Sequence, residues 1–157
     1  VEVFGNTITG NKTAGFGIIG YAVSQQTFTD PKYYEWPKSV YAHDNTWSHN
    51  GYQSDLHSQV GALLLTGASK YPNGDVPDVM YDGILDPKMM QDPSYPTGNT
   101  MIICVHEPTA SAVCNGHFDQ LSTSNPDLSK TIDCDASFFA CMLPALPAVT
   151  WTGLPAQ

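Results

Sequence analysis

Val1-Glu2-Val3-Phe4-Gly5-Asn6-Thr7-Ile8-Thr9-Gly10-Asn11 returns 39 residues later as Val40-Tyr41-Ala42-His43-Asp44-Asn45-Thr46-Trp47-Ser48-His49-Asn50. Asn-Thr falls at the same place in both copies, and each copy ends on Asn. Under this shift Val1 meets Val40, Val3 meets Ala42 and Ile8 meets Trp47, so apolar positions meet apolar ones. A chain that repeats itself in this way stacks copies of one unit. Inside the first copy Val1 and Val3 alternate with Glu2 and Phe4, a period-two strand. Gly5-Asn6 and Thr9-Gly10-Asn11 are turns, Ile8 points inward between them, and Ala14 to Ile19 supplies another short strand. Three short apolar runs separated by Gly/Asn turns within about 22 residues have the size of one solenoid coil.

A third copy follows. Ile103-Cys104-Val105-His106-Glu107 aligns with Val40 to Asp44 and with Val1 to Gly5, and Val79-Met80-Tyr81-Asp82-Gly83-Ile84-Leu85 matches the strand at Gly15 to Ile19. At the roughly 4.8 Å spacing of stacked strands, Asn6 over Asn45 and Asn11 over Asn50 form amide ladders. Pro108 replaces the next Asn, so the first ladder is expected to stop there.

Between the coils lie insertions at 22–38 and 51–78, so coils and insertions fill residues 1–120, with a connector and capping tail at 121–157. The first insertion carries Phe28, Tyr33, Tyr34 and Trp36 among Asp30, Pro31, Lys32, Glu35 and Pro37. Aromatic faces beside hydrogen-bonding groups suit stacking on sugar rings, and equally suit clamping the loop to the outside of the stack. In the second insertion Ser54 is placed to cap a short helix bearing Leu56, Val60, Leu63 and Leu64 and ended by Gly67. The tail from Met142 to Trp151 is too Pro-rich for a helix and is expected to run extended over or along the last coil. The chain begins at Val1 inside a strand pattern, which reads as a piece cut from a longer protein.

The composition, 41% hydrophobic, is that of a globular domain. Fifteen acidic residues against six Lys and no Arg give a net charge of −9, which argues against a nucleic-acid partner. No apolar run approaches the roughly 20 residues of a membrane span. Cys104, Cys114, Cys134 and Cys141 match no zinc-ligand spacing. They read as two disulfides in an oxidising compartment with three connectivities open, against the alternative of four buried thiols. No phosphate loop, nucleophile elbow or EF-hand is present. No metal site or cofactor is called for, with structural calcium between coils left open.

Val1 to Asn6, Asp30 to Pro37, His43 to Trp47, Asp82 to Pro87, Cys104, and Cys141 to Pro147 follow one another as a characteristic series. In that order they resemble the right-handed parallel β-helix repeat proteins of bacterial envelopes and secretions, in particular the C-terminal part of such a protein. The resemblance implies an all-β, right-handed parallel β-helix fragment of about three coils with long loop insertions, one short helix and a Pro-rich tail. It further implies upstream coils of the same protein as a partner and an extracellular or periplasmic location. With the aromatic insertion as its contact, the segment is expected to be a carbohydrate-binding unit or a surface scaffold. Relatives of this fold include polysaccharide lyases, hydrolases and epimerases. The alternative is therefore an enzyme on an extracellular polysaccharide, with His43, Asp44, His106 and Glu107 gathered on neighbouring coils as acid/base candidates or as solvated surface groups. A lyase acting on a polyuronate needs cationic groups that this acidic segment lacks.

Overall fold

The computed structural model describes residues 1–24, 27–107, 109 and 112–147. Among the described residues eight short strands form three parallel sheets: β1 (Glu2–Phe4), β2 (Thr7–Thr9), β3 (Phe16–Ile18), β4 (Val40–His43), β5 (Thr46–Ser48), β6 (Val79–Tyr81), β7 (Ile103–His106) and β8 (Val113–Asn115). The sheets are ordered β1-β4-β7, β2-β5 and β3-β6-β8, and the single α-helix among the described residues is α1 (Gln59–Thr66). The chain thus passes the sheets in one order and begins again. The architecture is all-β and parallel, with little helix.

The 39-residue shift in the sequence is the register of the sheets. Val3 pairs with Ala42, Phe4 with His43, Thr7 with Thr46 and Ile8 with Trp47. The third copy follows suit, with Val40 opposite Ile103 and His43 opposite His106, while Phe16 lies opposite Val79. Turn conformation repeats along with register. Gly5 and Asp44 both have left-handed backbones, as do Gly10 and His49, so the second copy forces Asp and His into conformations the first copy gives to glycine.

Strand alternation divides the side chains into two populations. Val40, Trp47, Val79, Tyr81 and Ile103 point into one core together with Ile18, Met101 and Phe139. Met80 and Cys114 face the other way, into a second cluster with Leu64, Tyr71, Val76, Phe118 and Leu128. The β3-β6-β8 sheet is therefore covered on both faces, which explains the unbroken burial of Val79–Tyr81. The β2-β5 sheet shows Thr7, Thr9, Thr46 and Ser48 to solvent, with Thr9 Oγ1 and Ser48 Oγ 2.7 Å apart.

The helix in the second insertion starts later than its sequence suggests. Its N-cap is Ser58, whose hydroxyl accepts from the Gly61 N–H, and Leu56 lies exposed before it. Both Ser54 and Ser58 are eligible caps, and the apolar stripe does not choose between them; Leu64 is the helix's one buried large side chain. Gly67 ends the helix as expected, and the Tyr71 hydroxyl donates to the Leu64 carbonyl. At the far end Phe139 plugs the inner core, and residues 141–147 run along the outer face of β1-β4-β7. Ala148 to Trp151 of the expected tail lie outside the described residues.

Candidate functional site

The aromatics of the first insertion divide into two groups. Gly20 leads into a short 3-10 turn at Tyr21–Ser24, anchored by Tyr21 N donating to the Glu35 carbonyl at 2.8 Å. Asp30 and Pro31 start the next turn, in which Asp30 Oδ1 accepts from Lys32 N at 2.9 Å and the Asp30 carbonyl accepts from Tyr33 N. These two turns set the rings of Tyr21, Phe28 and Tyr33 edge-on to one another, with centroids 5.1 to 5.8 Å apart. With Thr27, Thr29 and Asp30 they border an open cavity of about 350 Å³. Phe28 and Tyr33 remain 40% and 47% exposed, so the triad keeps apolar surface available to a ligand. The second oxygen of Asp30 has no partner among the described residues.

Tyr34 and Trp36 lie outside this triad. Trp36 packs against the inner core, Tyr34 meets it edge-on, and the Tyr34 hydroxyl donates to Asp86 Oδ2 at 3.0 Å. Loss of hydration, then the Asp86 carboxylate, raises the Tyr34 pKa above its usual value. Tyr21, by contrast, completes the cavity without having been singled out by sequence. It sits just before the insertion, seven residues ahead of Phe28, and only the folding back at Asp30 brings it in.

The four acid/base candidates sit at neighbouring register positions on the outer face of β1-β4-β7 and the turns that follow. His43 and His106 are paired across β4 and β7. His43 is stacked between Phe4 and Tyr41, its Nδ1 2.7 Å from Asp44 Oδ2 and its Nε2 3.0 Å from Glu2 Oε1. Both ring nitrogens are thus engaged. The Asp44 bond first and the Glu2 bond second raise the His43 pKa above 6.5. Glu2 is lowered below 4.5, first by His43 and then by the Leu146 N–H, which donates to Glu2 Oε2 at 3.0 Å. Glu107 turns away to the scaffold, its Oε2 accepting Asn45 N and its Oε1 Asn45 Nδ2. His106 is exposed.

Glu2, which the sequence reading passed over, therefore joins His43 to the tail. The raised pKa of His43 means that its contribution is complete below pH 6.5 and is lost as pH rises through the raised value. The lowered pKa of Glu2 means that its contribution is complete above pH 4.5 and is lost as pH falls through the lowered value. The tail is then held best between these limits. The Leu146 amide proton is expected to titrate twice, and His43→Gln to abolish the alkaline step; an NMR pH series with no change at Leu146 between pH 5 and 8 would contradict the linkage.

The cysteines pair as Cys104–Cys141 and Cys114–Cys134, one of the three open connectivities, and none is free. The first bond ties the tail to the outward side of β7, and the second joins β8 to the segment covering its outer face. Among the described residues no helix is long and apolar enough to cross a membrane. No three His, Cys, Asp or Glu side chains converge there as a metal site.

The chain matches no family model, no curated protein and no solved structure among those compared with it.

Proposed function

We propose that this chain is a carbohydrate-binding unit of a secreted or envelope protein, built on a right-handed parallel β-helix of about three coils. The observation that carries the reading is the ring of Tyr21, Phe28 and Tyr33 around an open cavity rimmed by Thr27, Thr29 and Asp30. A pyranose offers an apolar C–H face to aromatic rings and hydroxyls to a carboxylate and to threonines, and such a rim supplies both. Neutral glycans suit it best, because a net charge of −9 disfavours a polyanionic polymer. Repeated strands support the β-helix reading through their common register and order. Two disulfides support an extracellular or periplasmic location.

The test is NMR titration with neutral oligosaccharides. Shift changes are expected at Tyr21, Phe28, Asp30 and Tyr33, and Tyr33→Ala or Phe28→Ala weakens binding by about tenfold or more, the scale of one lost anchor. Trp36→Ala is expected to lower stability, since Trp36 packs on the core. Glycan binding that survives Phe28→Ala and Tyr33→Ala unchanged would reject this site.

A further inference from the structure

The last strands of the first and third sheets, β7 and β8, have covered edges, whereas the first strands do not. At the β7 edge the Asn99 side chain takes the place of a neighbouring strand: Asn99 Oδ1 accepts from Ile103 N and Asn99 Nδ2 donates to the Ile103 carbonyl, both at 2.8 Å. At the β8 edge the backbone of Asp133 pairs with that of Asn115 in both directions. The strands β1, β2 and β3 are each terminal in their sheets and all belong to the first pass, so three open edges lie together.

The asparagine ladders have a direction. Asn6 N and Nδ2 both donate to Asn45 Oδ1, at 3.0 and 2.9 Å; Asn45 N and Nδ2 in turn donate to the two oxygens of Glu107. In the second ladder Asn11 N and Nδ2 donate to Asn50 Oδ1, and Asn50 Nδ2 donates to Asp78 Oδ1. Both ladders end on a carboxylate, a group that only accepts and so cannot continue the series. At the open end Asn6 Oδ1 and Asn11 Oδ1 accept nothing from any described residue, although the equivalent oxygens of Asn45 and Asn50 each accept two bonds. The apolar side chains tell the same story: Val1 is 70% exposed where Val40, one rung further in, is 7%.

We propose that the β1-β2-β3 edge is a docking site for one further parallel pass of the same repeat. Two asparagines of that pass, five residues apart, donate their backbone N–H and Nδ2 groups to the Oδ1 atoms of Asn6 and Asn11. The incoming strands pair with the free backbone of β1, β2 and β3, and their apolar residues cover Val1 and Ile8. A second copy of this chain does not fit through its far end, where Asn99, Asp133 and Phe139 occupy the edge and the core.

The experiment duplicates residues 1–39 in front of the full chain, so that the 39-residue register is kept. Backbone amide exchange is then followed at residues 2–9 of the original copy. Protection is expected to rise about tenfold or more, and to return to the starting level when the added copy carries Asn6→Ala and Asn11→Ala. Unchanged exchange in the extended chain overturns the proposal, and so does equal protection from the Ala version. A concentration-dependent dimer of the unextended chain with protected β1, β2 and β3 amides also overturns it, by placing a second copy on this edge. Should the extended chain aggregate, the synthetic peptide Val1 to Asn11 at millimolar concentration replaces it. Shift changes at the Asn6 and Asn11 side-chain amides, lost with the Ala peptide, support the site; their absence overturns it.

Discussion

Cys114→Ala with Cys134→Ala is expected to lower stability by about 3 kcal/mol, and Cys104→Ala with Cys141→Ala by about 4 kcal/mol, from the loops of 20 and 37 residues that the two bonds close. For a chain of this length each loss lowers the melting temperature by about 10 °C. Reduction of both bonds removes a large part of the roughly 5 to 15 kcal/mol that holds an ordinary domain together. The first pair has the larger local consequence, because Cys114 is buried in the cluster that holds Leu128 and Phe118 over the outer face of β3-β6-β8. Without that bond the covering segment depends on Leu128, Phe118 and the Asn115–Asp133 backbone pair. Thermal unfolding with and without reductant is the measurement. A melting temperature unchanged by reductant would mean that the covering segments hold without their crosslinks.

The register was the most legible part of the fold, because it is carried by identity as well as polarity. Asn6 and Asn45 must stack to satisfy each other, and a slip of one residue would expose Trp47 and bury Thr46. The β3 and β6 strands were harder to place, since Gly15 to Ile19 and Val79 to Leu85 share little beyond apolarity; only Val79–Tyr81 of the second stretch is strand. What covers the outer faces was half legible. The outward position of Cys104 follows from alternation and points to a cysteine in the tail, and Cys141 supplies it. Nothing in Met80 or Leu64 alone says that the helix Gln59–Thr66 packs on the third sheet.

The candidate site was legible in part for a similar reason. Phe28 and Tyr33 announce themselves by clustering in a polar loop, but Tyr34 and Trp36 carry the same signal and are used for packing and for the bond to Asp86. Residue type does not separate a ring facing a cavity from one facing a core. The stacked His43 and His106 were predicted by register, whereas the commitment of His43 to Glu2 and of Glu107 to Asn45 depends on side-chain geometry across strands. A dense outward row of titratable groups is thus tied into the scaffold at His43 and Glu107.

Asn45→Asp probes the stacked repeat itself. Asn45 is 2% exposed, and its Nδ2 reaches the carbonyls of Val3 and His43 as well as Glu107, while its Oδ1 takes the Asn6 donors. The substitution keeps shape and acceptor, deletes the donor, and sets a carboxylate against the Glu107 carboxylate. A cost of about 3 to 5 kcal/mol is expected at pH 7, from buried acceptors left without a donor and a like-charge contact. One shared proton restores a hydrogen bond between the two carboxyl groups, so the folded form binds protons more tightly than the unfolded one and the variant's deficit shrinks as pH falls toward 4. Urea unfolding of Asn45→Asp and the parent chain across pH 4 to 8 measures the difference directly. A deficit of several kcal/mol at neutral pH that narrows on acidification is the predicted result; equal stability at pH 7, or a deficit indifferent to pH, would contradict the ladder that joins the three passes.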